Sequence, residues 1–117
     1  MLNDRTVLIV DSDDKTRDIV FETAVKHGVI PMSCSSCAEA RSLLAKRPFK
    51  VVFCSDRLPD REYPEVIWAA KPTPVIVLSR LAEWESCLAA MQAGAFDYIA
   101  CPPYKVEVDR ILSSALN

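Results

Sequence analysis

Residues 6–11 read TVLIVD, an unbroken apolar run closed by an acid. Period-2 alternation is missing, so the run has the pattern of a strand covered on both faces rather than one with a wet side. Residues 50–55 (KVVFCS) and 74–79 (PVIVLS) repeat it, and FDYIA at 96–100 and a weaker segment at 29–33 complete a set of five strands. Helical spacing fills the intervals. Asp13 or Asp14 can cap a helix running to about Lys26, with Ile19, Val20, Ala24 and His27 on its inner stripe and Gly28 as its stop. Ala40, Leu43 and Leu44 share a face of a second helix, which Pro48 ends. A turn-rich stretch at 57–64 leads into a short helix at 65–70. Trp84, Leu88 and Met91 then recur at i, i+4, i+7 ahead of Gly94, and Val108, Ile111, Leu112 and Ala115 mark a last helix.

Strict strand–helix alternation with short connections predicts an α/β fold: right-handed crossovers, one parallel sheet, and helices on both of its faces. Ligands in such sheets sit beyond the carboxyl ends of the strands, where the winding reverses. The residues to interrogate are therefore Asp11, Ser12, Ser55, Asp56, Ser79 and Cys101.

The whole chain, 1–117, has the length of one domain. Its 14 Lys and Arg against 16 Asp and Glu sum to −2, without the basic excess of a phosphate-backbone binder. No apolar run approaches the ~20 residues of a membrane span, and Asp4 and Arg5 interrupt any leader-like start. A cytoplasmic protein binding neither nucleic acid nor membrane is expected. The five cysteines are odd in number and do not read as a disulfide framework. Cys34-Ser-Ser-Cys37 has the spacing of a redox or zinc half-site. No second such pair accompanies it and His27 is the lone histidine, so these read as two unrelated small, half-buried thiols.

VLIVDSDDKTRDIV (7–20), VVFCSDRLPD (51–60), PVIVLS (74–79) and QAGAFDYIACPPY (92–104) resemble, in order and spacing, motifs of the receiver domain of bacterial two-component response regulators. The resemblance implies a flavodoxin-like (βα)5 sheet in the order 2-1-3-4-5. It also implies a chemistry in which a third-strand aspartate takes a phosphoryl group from a phosphohistidine. An acidic pair holds Mg²⁺, a Thr or Ser and a Lys grip the phosphoryl oxygens, and an aromatic side chain switches. Clustered carboxylates suit a hard, oxygen-loving cation, and cation and lysine offset charge on the transferred group.

Residue by residue, the family's acceptor stands four positions before the loop proline, which from Pro59 is Ser55, with Asp56 next to it. The acidic pair falls on Asp11 and Ser12, the lysine on Cys101, the Thr/Ser on Ser79 and the aromatic switch on Tyr98. A serine is a weak nucleophile without an adjacent base. Ser12 removes an anionic metal ligand, and a neutral thiol at Cys101 supplies no fixed charge. The leading reading is a pseudo-receiver, not an enzyme. It would act by protein contact through the face of the fourth helix, fifth strand and fifth helix, toward a histidine kinase or an output domain. A second reading is a working receiver phosphorylated at Asp56, with Mg²⁺ on Asp11 and Asp56 and Asp13 as a substitute ligand. A one-residue shift turns a strand side chain to the opposite face, so Asp56 then needs a bulge to reach the pocket. A third is a haloacid-dehalogenase-type phosphatase, since Asp11-Ser12-Asp13 follows an apolar run and Ser79 ends a strand; Lys15 stands where that signature has Thr or Val.

Tyr98 is expected to be fixed, with its ring packed and its hydroxyl wet. Cys101 is expected to be an unreactive thiol with no cation beside it, and Pro102 to follow a cis peptide. No DNA-reading element is left over, so the chain either acts alone or is the receiver part of a longer regulator.

Overall fold

The computed structural model describes residues 5–81 and 83–116. Five strands alternate with five helices: β1 Thr6–Val10, α1 Asp14–Lys26, β2 Ile30–Cys34, α2 Cys37–Lys46, β3 Val51–Ser55, α3 Pro64–Ala70, β4 Val75–Ser79, α4 Trp84–Ala93, β5 Asp97–Ala100 and α5 Lys105–Leu116. The strands form one sheet in the order β2-β1-β3-β4-β5, all neighbours parallel.

Every residue of β1, β3 and β4 is buried, as their unbroken apolar runs require. Alternate residues serve opposite faces. Val7, Ile9, Phe53 and Ile76 meet α1 and α5 through Val20, Ala24, Val108, Ile111 and Leu112. Leu8, Val52, Cys54 and Val77 meet α2, α3 and α4 through Ala40, Val66, Ile67 and Ala90. β2 is an edge strand, and its Ile30 is exposed.

Asp13 is the residue that caps α1, accepting from the Thr16 N–H at 3.0 Å and the Thr16 hydroxyl at 2.8 Å. The carboxylate satisfies a backbone donor that has no partner within the helix. Asp13→Ala is expected to cost about 1 kcal/mol, read as a fall in the urea midpoint at unchanged slope.

The apolar stripe that the i, i+4, i+7 spacing marks on α4 faces outward. Among the described residues of α4, Ala90 alone is buried, while Trp84, Leu88 and Met91 are exposed. The rings of Tyr63 and Tyr98, with Ile67, fill the space over this half of the sheet. Ala90 and Ala93 are the α4 residues that pack into this cluster, and the large residues turn outward. No helix among the described residues is long and apolar enough to cross a membrane.

Candidate functional site

The sheet order reverses at β1, whose neighbours β2 and β3 lie on opposite sides, and this opens a crevice at the carboxyl ends of β1 and β3. Asp11 follows β1 into it, 1 % exposed, its N–H donating to the Cys34 carbonyl at 3.0 Å. Ser55 ends β3 and Ser79 ends β4, both buried. Cys101 follows β5, its N–H on the Ser79 carbonyl at 2.7 Å.

The crevice is filled by Arg80. Its Nη1 donates to Asp11 Oδ2 at 3.3 Å and its Nη2 to Asp11 Oδ1 at 3.2 Å, so both oxygens of the buried acid are engaged. Nη1 also reaches the Ser55 hydroxyl at 3.4 Å and Cys101 Sγ at 3.6 Å, and Nη2 the Thr16 hydroxyl at 3.4 Å. Asp13 adds a longer ion pair at 3.6 Å. The planar fork of a guanidinium suits a two-oxygen carboxylate, which an ammonium meets only as a point charge. Burial, the largest influence, raises the Asp11 carboxyl above the ordinary range; the Asp13 N–H and Arg80 pull it down without prevailing.

The two acceptor candidates separate cleanly. The Ser55 hydroxyl points into the crevice, between Arg80 and the Arg57 backbone, from whose N–H it accepts at 3.0 Å. Asp56 is turned toward β4, taking the Ser79 hydroxyl on Oδ2 at 2.6 Å and the Arg80 N–H on Oδ1 at 3.3 Å. Ser79 is further braced by the Leu81 N–H, which it accepts at 3.0 Å. Asp11 and Asp56 thus face different donors, and Asp13 is committed to its cap. Ser12 is exposed beside them. No group of three or more metal-ligating His, Cys, Asp or Glu side chains is gathered among the described residues.

One expectation needs correcting: a cation does lie beside Cys101. Burial nevertheless outweighs the attraction of Arg80 and pushes the thiol up to about 11, so Cys101 stays protonated at neutral pH. Tyr98 is half-buried against the core, and its hydroxyl donates to the Leu81 carbonyl in the loop leading to α4. The Cys101–Pro102 peptide is cis. Cys34, Cys37 and Cys54 are free thiols, and Cys34 and Cys37 are buried rather than half-buried.

Arg80 was absent from the residues singled out in the sequence. A signal existed: a buried Asp11 needs a cation, and Arg80 directly follows the strand-end Ser79.

No family model matches the sequence. Response regulator protein PilR of Pseudomonas aeruginosa is 29% identical over 114 residues, spanning 94% of this chain and 26% of that protein. The hydrogenase transcriptional regulatory protein HoxA of Cupriavidus necator is 31% identical over 102 residues, spanning 83% of this chain and 21% of that protein. In three dimensions the chain overlays the receiver domain of the Francisella response regulator 1452 with a TM-score of 0.86 at 21% identity, over 96% of both chains. The chain has the receiver-domain fold, and over most of its length its sequence is similar to response regulators. The receiver spans about a quarter of the length of the two curated relatives. Within that fold it carries an arginine at the strand-end crevice, with serine and cysteine where the family resemblance places the acceptor and the lysine.

Proposed function

We propose that this receiver is a pseudo-receiver: its own Arg80 closes the phosphorylation crevice, and it signals by protein contact rather than by phosphoryl transfer. The observation that carries this reading is the two-point hold of Arg80 on Asp11. A divalent cation could reach Asp11 only by displacing a guanidinium from a carboxylate that is 1 % exposed. Mg²⁺ sheds its own water reluctantly and would find few anionic ligands in return. The same hold argues against the phosphatase alternative, whose nucleophile would be Asp11. Among the described residues no buried side-chain nitrogen or oxygen lacks a partner, so the crevice is saturated as it stands.

The surface for contact is formed by α4, β5 and α5, where Trp84, Leu88 and Met91 stand exposed. The partner would be a histidine kinase or an output domain, and the setting cytoplasmic.

The test is a titration of isotope-labelled protein with Mg²⁺ and then beryllofluoride, which mimics an acyl phosphate on aspartate. Amide resonances are expected to stay unmoved through both additions. Saturable shifts centred on Asp11 and Asp56 and spreading to Ser79 and Tyr98 would instead establish the second reading, a working receiver using Asp56.

A further inference from the structure

Basic residues gather at the end of the sheet opposite the crevice. Arg5 precedes β1 and Lys50 precedes β3, Lys26 and Lys46 close α1 and α2, Arg47 follows α2 and Lys71 follows α3, all of them exposed. The acids at that end among the described residues are Asp97 and Asp109, and both are engaged. Asp97 accepts the Tyr98 N–H at 2.7 Å, and Asp109 lies 2.9 Å from His27 Nε2. A chain with a formal charge of −2 thus presents one strongly positive end.

Part of this charge is the ordinary complement of a helix. Lys26 and Lys46 sit in the last turns of α1 and α2, where a cation meets the negative end of the helix dipole, and Arg5 donates to the Gly28 carbonyl at 3.1 Å. That account leaves over Lys50, which leads into a strand, and Lys71, which lies beyond α3. Neither makes an ion pair among the described residues. Like charges gathered without counter-charge repel one another, and an anionic partner relieves that repulsion.

The surface between the cations is indented and partly apolar. A hollow of about 260 Å³ lies between Thr6, Lys46, Arg47 and Pro48. The Lys50 N–H, on the Thr6 carbonyl at 2.7 Å, joins it to a second of about 160 Å³ between Arg5, Val29, Lys50 and Leu116. A third, of about 360 Å³, shares Lys50 and Leu116 and adds Phe49, Pro72 and Pro74 to its lining. A row of small hollows suits successive side chains of an extended segment rather than one compact ligand. A nucleic-acid backbone is met by cations alone and makes no use of an apolar floor. A second copy docking about a two-fold axis would set Lys50 and Lys71 against themselves.

We propose that this end of the sheet docks an acidic, extended segment of a partner protein, its apolar side chains in the hollows beside Phe49 and Leu116 and its Glu or Asp on Lys46, Lys50 and Lys71. The proposal is independent of the closed crevice and of the α4, β5 and α5 face.

The probe is an extended Glu/Leu peptide titrated into the isotope-labelled full chain, with a Lys/Leu peptide and a single-stranded oligonucleotide alongside. The Glu/Leu peptide is expected to shift amides at 46–50 and 71–75 saturably and to bind about tenfold more tightly than the Lys/Leu one. Added salt should weaken it, because exposed charges are screened. Lys50→Gln with Lys71→Gln should cost about tenfold in affinity. Both side chains are exposed, so an unchanged urea midpoint shows that the loss is not misfolding. Lys50→Glu with Lys71→Glu should reverse the preference between peptides. Equal binding of both peptides, shifts centred elsewhere on the chain, or an oligonucleotide that binds the same residues more tightly than the Glu/Leu peptide would each overturn the proposal.

Discussion

Arg80→Ala is expected to lower the unfolding free energy by about 3 kcal/mol, because it strands a buried carboxylate. The two partners are unequally placed: the Asp11 side chain is 1 % exposed and that of Arg80 24 %. With Arg80 gone, Asp11 retains the Asp13 N–H at 2.9 Å but no counter-charge. The reverse change should be milder. Asp11→Asn leaves a guanidinium that still reaches Thr16, Ser55 and Asp13 and has water at its edge, so about 1–2 kcal/mol is expected. The pH dependence separates the two. Burial raises the folded Asp11 carboxyl even with Arg80 in place, and the arginine pulls against that rise. Without the arginine the carboxyl climbs further. A carboxyl raised in the folded state contributes fully below its unfolded pKa and loses stability as pH rises through its folded pKa. The gap between Arg80→Ala and the parent chain should therefore be small at acidic pH and widen toward neutrality. Thermal unfolding of both across that range measures it. A gap that stays constant, or that shrinks with rising pH, would mean that Asp11 does not depend on Arg80.

The same asymmetry explains how much could be read beforehand. The sheet is legible because β1, β3 and β4 are covered on both faces, and double coverage leaves no choice but continuous apolar sequence. α5 is legible for the related reason that one of its faces, Val108, Ile111 and Leu112, is wholly committed to the core. α4 misleads because periodicity reports that a helix has two different faces and not which of them turns inward. Here the inward face is the one that packs with Tyr98 of β5 and Tyr63 before α3, contacts distant in sequence. The strand ends pointed to the crevice, and Ser55 and Asp11 do lie in it. The signal for Arg80 is weaker because it falls just past β4, where the alternation of strand faces no longer says where a side chain points. A long, flexible stem then carries its charge from β4 across to β1.

If Arg80 closes the crevice, restoring the family's acceptor alone should not reopen it. Ser55→Asp places a carboxylate where the present hydroxyl lies 3.4 Å from Arg80 Nη1. The new acid would join the arginine in a further ion pair, and beryllofluoride with Mg²⁺ is expected to leave the spectrum unchanged. The combined variant Ser12→Asp, Ser55→Asp, Arg80→Ala and Cys101→Lys differs in kind. It removes the internal cation and supplies the second anionic ligand that a hard divalent ion requires. It also returns a positive charge to a site now 3.6 Å from the guanidinium, close enough for an ammonium to occupy part of the vacated volume. This variant is expected to bind Mg²⁺ with a dissociation constant on the order of millimolar, and then to take beryllofluoride with shifts reaching Ser79 and Tyr98. The spread depends on one local exchange, because Ser79 must release the Asp56 oxygen it now holds at 2.6 Å before it can turn to a new ligand. Mg²⁺ binding without any change at Ser79 would locate the remaining block in that hydrogen bond. Saturable beryllofluoride binding by Ser55→Asp alone would show that Arg80 yields to an incoming cation and that the crevice is not closed.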